Sequence, residues 1–360
     1  MTTASEHARP ALAPAGSWRL PLGSARSGRS LLLDKRACVA NLLLAAALWA
    51  ACVASLCLGE VSITPRAAIA GLFGYGDFMD VFVVQELRWT RLLAGVLSGG
   101  AFALAGCLMQ TLARNRLATP GIIGLDNGAT AFAVASVLGV GLGIAPPAMA
   151  LVGASVATAI AFGLAGGIGT QGYRFLVAGI GVGAAFDAIT RLMLARSAID
   201  AANAAYPWTV GSLNGVGALA LNMLAIGLVI GLIGAAALAR ALGVVRFSEG
   251  VAQGLGIRVA HIRLGALVLS VGLTALAVAV AGPVGLIALI GPELARHLSS
   301  RRGVPLMGAT LAGALLMVVA DLAGRVLFSP IEIPVGLIST VVGAPVLLWI
   351  LLRPGHKIGV

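Results

Sequence analysis

Ten apolar runs are separated by short loops that hold most of the charge. They lie at about 38–58, 92–112, 122–140, 147–167, 175–194, 215–238, 264–282, 284–296, 304–324 and 336–352. A helix needs about 20 apolar residues to cross a hydrocarbon layer. In lipid, every backbone amide must be satisfied within the segment, so such runs can only be helices. With 59% hydrophobic and 10% charged residues, the chain has too little polar surface to close around a soluble core. The expected fold class is an all-α polytopic membrane protein with about ten transmembrane helices. Two runs are weak. The third holds Asp126 and Asn127 near its start, and the eighth, PVGLIALIGPELA, is short and reads as a helix broken by Pro283 and Pro292.

Charge sets the orientation. If both termini are cytoplasmic, 18 of the 24 Lys and Arg residues fall in inside segments and 6 (Arg66, Arg88, Arg91, Arg191, Arg196, Arg325) fall outside. That bias obeys the positive-inside rule and requires an even number of spans. It also accounts for the net charge of +11 without nucleic acid as a partner. Residues 1–36 read as a disordered basic cytoplasmic tail, 37–354 as the ten-span domain and 355–360 as a cytoplasmic tail. The first run is long for a signal-peptide core and lacks a convincing cleavage site, so it reads as an anchor. LAGCLMQTLARN (104–115) and VAGPVGLIALIGPELARH (280–297) share a faint repeat, which fits either a five-span duplication or chance.

The 49 glycines suit close helix packing, and GxxxG spacings occur at Gly95/Gly99 and Gly163/Gly167. Cys38, Cys52, Cys57 and Cys107 lie in or beside apolar runs without metal-ligand spacing and read as small hydrophobes. No metal site is expected, since His7, His261, His297 and His356 are scattered. The only lysines, Lys35 and Lys357, follow Asp34 and His356, so no Walker A motif exists. There is no GxSxG elbow either. The chain is expected to be no enzyme and to bind no cofactor.

Between two apolar runs lies RFSEGVAQGLGIRVAHIR (246–263), longer than a helix connection needs. Ser248 can cap a helix with Glu249 in its first turn, Val251, Ala252 and Leu255 give one apolar face, and Gly256 stops it. A short amphipathic helix of this kind either docks into a groove on a partner or rests on lipid headgroups. Elsewhere, Arg88 and Arg91 (i, i+3) should share one helix face, and Asp187/Arg191 and Asp321/Arg325 (i, i+4) should pair. An acid within the membrane is otherwise a candidate proton carrier. Asn115, Pro120, Gly121, Gly124 and Asn127 read as a structural turn between the second and third spans.

The pattern Ser248-Glu249-Gly250-Val251-Ala252, then Gly256, resembles the coupling segment of ATP-binding-cassette (ABC) importer permeases of the FecCD type. Members of that group import ferric siderophores, haem and cobalamin. LRWTRLLAGVLSGGAFALAGCLMQTLARNRLATPGIIGLDNGA (87–129), YPWTVGSLNG (206–215), AVAGPVGLIALIGPELARHL (279–298) and ADLAGRVLFSPIEIPVGLISTVVGAPVLLWILL (320–352) resemble further motifs of that family, in its order. Four features depart from its pattern: Glu293 after Pro292 in place of His, Arg116 in place of Pro between Asn115 and Leu117, Trp89-Thr90-Arg91 for Leu-Pro-Arg, and Asp187.

The resemblance implies a permease subunit in a bacterial cytoplasmic membrane. Its partners would be a second permease subunit, identical or paralogous, two cytoplasmic ABC ATPases carrying ATP and Mg, and an extracytoplasmic substrate-binding protein. Ser248, Glu249, Ala252, Gly256 and Arg258 would contact the ATPase. Arg88, Arg91 and Arg325 would receive the binding protein, and the fifth and tenth spans would line the path of a ferric siderophore or related chelate. Two other classes remain open: a proton-coupled secondary transporter using Asp187 or Asp321, and an oligomeric membrane structural protein packed through its glycines.

Overall fold

Every one of the ten apolar runs is helical in the computed structural model, which describes residues 16–21, 30–59, 61–140, 143–166, 173–246, 248–299, 303–329 and 331–352. Gly167, Arg301, Arg302, Arg353 and the 355–360 tail lie outside the described residues, as does most of the 1–36 segment.

The part of that segment which is described departs from the expected disorder. Strands β1 (Ser17–Pro21) and β2 (Ser30–Asp34) pair antiparallel, with Ser17 opposite Asp34. Asp34 then accepts hydrogen bonds from the Arg36 and Ala37 amides and caps helix α1 (Lys35–Cys57), so the chain is ordered before its first long helix. Lys35 Nζ stands 5.5 Å from the centre of the Trp18 ring, a cation–π contact across the junction.

Helices α2 (Pro65–Leu72) and α3 (Phe78–Phe82) follow. A π-helical turn, Val83–Trp89, joins α3 to α4 (Thr90–Ala113) without a break, giving an apolar stretch of 36 residues. The 3-10 turn Pro120–Ile123 leads into α5 (Leu125–Val137), α6 (Pro146–Ala165) and α7 (Tyr173–Arg196). Short α8 (Ile199–Ala205) and α9 (Pro207–Val210) precede α10 (Ala218–Val245), α11 (Glu249–Gly254) and α12 (Val259–Ala281). The last three are α13 (Gly285–Leu298), α14 (Leu306–Val326) and α15 (Val335–Leu352). Among the described residues, seven helical stretches are long and apolar enough to cross a membrane: α1, Phe78–Ala113, α6, most of α7, α10, α12 and α14. The third, eighth and tenth runs form the shorter apolar helices α5, α13 and α15.

Helix α4 is the axis of the bundle. Phe102, Leu104 and Leu108 are fully buried in it, with α10, α12, α13 and α14 packed around it. Backbones meet directly at two of its glycines. A Cβ on Gly99 would stand 2.5 Å from Gly313 O of α14, and one on Gly106 would stand 1.9 Å from Ala288 O of α13. The expected glycine packing is therefore present at Gly99, but Gly163 faces open space and packs against nothing within 4 Å.

The eighth run is not broken. It is one 14-residue helix, α13, that begins after Pro283 and contains Pro292. Proline lacks the amide that would bond the carbonyl four residues back. Here that carbonyl is Ala288 O, and Gln110 Nε2 of α4 donates to it at 3.4 Å and to Leu289 O at 3.4 Å. The side chain supplies the donor that proline removed, so the helix continues.

Candidate functional site

Charged side chains gather at the two opposite ends of α4. At its amino end, Arg91 Nε donates to Asp321 Oδ1 of α14 at 2.8 Å, and Arg325 Nε donates to Asp321 Oδ2 at 3.1 Å. The expected Asp321/Arg325 pair is thus formed and shared with a third residue. Arg91 Nη1 also reaches Asn214 Oδ1 at 2.6 Å and Glu332 Oε2 at 2.9 Å, and Asn214 Nδ2 donates to Glu332 at 2.9 Å. Burial pushes the Glu332 carboxyl up, but the Asn214 and Arg91 hydrogen bonds outweigh it and hold the group below its usual range.

Arg88 and Arg325 bind the end of α1. Arg88 Nη1 donates to Leu56 O at 2.6 Å and Nη2 to Val61 O; Arg325 Nη2 donates to Ser55 Oγ at 2.7 Å and to Ser55 O at 3.3 Å. The last carbonyls of a helix lack intrahelical donors and carry its negative dipole end, so two guanidiniums there meet a real demand. Arg88 and Arg91 have different hydrogen-bond partners: Arg88 binds the carbonyls at the end of α1, Arg91 the carboxylates of Asp321 and Glu332. The π turn over Val83–Trp89 bonds i to i+5, and Arg88 lies within it while Arg91 belongs to α4. Arg88 is 7% exposed and Arg325 9%, so both are turned inward and hold helices together.

At the carboxyl end of α4 sits the 246–263 segment. The helix expected there is α11, six residues long. Ser248 occupies its N-cap position and its carbonyl accepts the first helical bond, from Ala252 N at 3.1 Å, but its hydroxyl makes no capping bond, contrary to the side-chain cap expected. Glu249 does not stand free: Arg114, the residue after α4, and Arg263 of α12 both donate to its Oε1. The stop at Gly256 is as expected. Its φ is +77°, its amide bonds Gln253 O at 2.9 Å, and the Ile257 amide bonds Ala252 O at 2.9 Å, the paired bonds of a Schellman ending. The expected apolar face is split. Ala252 is buried against Val245 and Val259, while Val251 (55% exposed) and Leu255 (68%) point away from the chain. Arg258 is exposed and has no ionic partner among the described residues.

The 115–127 turn serves the fold. Asn115 Oδ1 accepts from Leu117 N at 2.9 Å, Pro120 begins the 3-10 turn, and Gly121 leaves room for the Asp126 carboxylate. Gly124, at φ +79°, lets α5 start against the backbone of Gly183. Asn127 belongs to α5 rather than the turn, and its Nδ2 donates to Gly183 O of α7 at 3.0 Å. Asp187 and Arg191 pair at 2.8 Å on the more open side of α7.

The family match runs over residues 47–353 and is to the FecCD transport family. The chain belongs to that family. The motifs that carried the resemblance all fall within the matched range. Among FecCD-related permeases, the achromobactin transport system permease CbrC of Dickeya dadantii is 36% identical over 309 residues, covering 84% of this chain and 88% of that one. The ferric enterobactin permease FepG of Escherichia coli is 32% identical over 328 residues, covering 91% and 99%. A solved structure of a metal-chelate type ABC transporter in an inward-facing conformation superposes with a TM-score of 0.76. It is 22% identical and covers 88% of this chain and all of that one, so it bears on the fold.

Several residues of these FecCD end clusters had no sequence pattern to mark them. Asn214 and Glu332 join Arg91 from 123 and 241 residues away. Arg114, Arg116, Arg263, Glu293, Arg296 and Gln110 form the opposite cluster. The quoted motifs contained most of them, and Arg116 and Glu293 stood out as departures from the family pattern, but nothing in the spacing paired them.

Proposed function

We propose that this chain is a transmembrane permease subunit of an ABC importer that moves a ferric siderophore or related metal chelate into the cytoplasm of a bacterium. The single observation that carries this reading is α11. It is clamped from behind by Arg114 and Arg263 through Glu249, and Val251 on it, with Leu255 and Arg258 just after it, is exposed among the described residues. A rigidly held helix with an exposed apolar and basic side is a handle for a partner, and family membership makes an ATPase that partner.

In this reading the chain crosses the membrane ten times with both termini inside, using the shorter α5, α13 and α15 as spans shielded by their neighbours. It pairs with a second permease subunit and sits on two ATPases, which hold ATP and Mg. The apolar sides of α7 and α15, with Ile180, Ile189, Leu192, Val341 and Val342 exposed, suit the path and the second subunit. At the outer end, Arg91, Asn214 and Glu332 form the rim that a binding protein would meet, and Arg88 and Arg325 brace it from beneath. A proton-coupled mechanism is disfavoured, because neither candidate acid stands alone: Asp321 is paired with Arg91 and Arg325, and Asp187 with Arg191.

The test is purification of the chain from its native membrane in mild detergent, followed by reconstitution. An ABC ATPase should co-elute, uptake should need ATP, and Arg258→Glu should weaken ATPase binding without changing the melting temperature. Accumulation by the chain alone under a proton gradient, with no ATPase present, would overturn the proposal.

A further inference from the structure

Between α11 and α13 lies a three-residue turn, Arg114-Asn115-Arg116, whose two arginines point to two different glutamates. Arg114 donates to Glu249 at the start of α11. Arg116 Nη1 donates to Glu293 Oε1 of α13 at 2.9 Å. Glu293 is 6% exposed and is also bound by Arg296 Nε at 3.0 Å, and Arg296 in turn donates to Gln110 Oε1 of α4. Gln110 closes the chain of contacts by donating to the Ala288 and Leu289 carbonyls of α13.

The turn between the two arginines is stiff. Arg114 adopts φ +50° and ψ +27°, and is the only non-glycine residue with positive φ among the described residues. Side chains with a Cβ avoid this region unless their surroundings hold them there. Asn115 locks the next step, its amide bonding Gln110 O at 3.2 Å and its Oδ1 accepting from Leu117 N. A pull on Glu249 therefore cannot be absorbed by slack between Arg114 and Arg116.

We infer that this turn is the link by which movement of α11 reaches α13, with Arg114 and Arg116 as positioning residues for the transport step. The inference rests on the reading of α11 as the helix an ATPase grips. Helix α13 is the natural receiver. It is short, its continuity depends on Gln110 covering the carbonyl freed by Pro292, and it packs backbone to backbone on α4 at Gly106. Physical coupling of this sort needs an unbroken set of contacts between two elements that can shift, and the two ion pairs complete it.

The experiment uses the complete importer, with its ATPases, in lipid nanodiscs. Spin labels at Leu298→Cys on α13 and Leu43→Cys on α1 report the position of α13, with and without ATP and vanadate. Arg116→Gln is the informative variant, because Glu293 keeps Arg296 and is not left unpaired. The wild type should show a nucleotide-dependent change in distance. Arg116→Gln and Glu293→Gln should lose most of it while ATP hydrolysis stays near the wild-type rate, and uptake per ATP should fall by about fivefold or more. The exchanged pair Arg116→Glu with Glu293→Arg should recover part of the motion. An unchanged distance shift in Arg116→Gln, or loss of ATPase assembly in that variant, would overturn the link. If the wild-type chain brings down no ATPase at all, it is the importer reading that fails.

Discussion

Arg91 Nε donates to Asp321 Oδ1 at 2.8 Å, joining the first turn of α4 to the last turns of α14 across 230 residues of chain. The same carboxylate accepts from Arg325, so one acid bridges two guanidiniums whose side chains are 12% and 9% exposed. Removing it leaves Arg325 without a carboxylate and Arg91 with Glu332 alone. Asp321→Ala should cost roughly 3–5 kcal/mol, seen as a large fall in melting temperature in detergent. Asp321→Asn, which keeps hydrogen-bond acceptance, should cost less. A melting temperature unchanged in Asp321→Ala would show that the cluster does not hold α4 and α14 together.

Gln110 and Pro292 form a second testable pair. Gln110→Glu keeps an acceptor for Arg296 but removes the donor to Ala288 O, leaving that carbonyl unpaired in a buried site. The expected cost is about 1–3 kcal/mol. Pro292→Ala restores a backbone amide in α13 and should relieve part of that loss in the double variant. Additive effects in thermal unfolding would disprove the compensation.

The two glycine environments predict opposite outcomes. Gly106→Ala would drive a methyl into Ala288 O, and since both partners are backbone the helices must separate. A loss of about 1–3 kcal/mol or failure to accumulate in the membrane is expected. Gly163→Ala meets open space and sits in a helix, so it should be neutral or slightly stabilising. Expression and melting temperature of the two variants decide the matter.

Glu332 predicts a pH dependence. Its folded-state carboxyl is held below the ordinary range, so it contributes stability above the unfolded value of about 4.3 and loses it as pH falls through the lower folded value. The wild type should therefore exceed Glu332→Gln in melting temperature at neutral pH, and the gap should close on acidification below the ordinary glutamate value. Because Glu332 is partly exposed, the gap should also shrink with added salt. A gap that widened in acid would reverse the assigned sign.

Much of the architecture was legible in the residues. Apolar length located a helix at each of the ten runs, seven of them in stretches long enough to cross a membrane, and the i, i+4 spacings of Asp187/Arg191 and Asp321/Arg325 located two ion pairs, because both depend only on neighbours along one helix. The reading erred where a local rule met an unusual neighbour. The π turn that carries Arg88 is not visible in composition. The eighth run stayed whole because Gln110, 178 residues earlier, supplies what Pro292 lacks. Ser248 matched a capping pattern, yet its hydroxyl makes no such bond.

The sequence by itself determined that this chain must live in lipid as a bundle of helices, that it carries no Walker A motif, and that its motifs are those of one permease family. Those conclusions follow from hydrophobicity, backbone hydrogen bonding and short-range spacing, which act within a segment. Only the tertiary structure decided what each charge is for: that Arg88 and Arg325 close the end of α1, that Glu249 is a clamp rather than a free contact, and that Arg114 and Arg116 face different helices. Electrostatic partners are chosen by distance in space, and helices far apart in the chain become neighbours only once the bundle has packed.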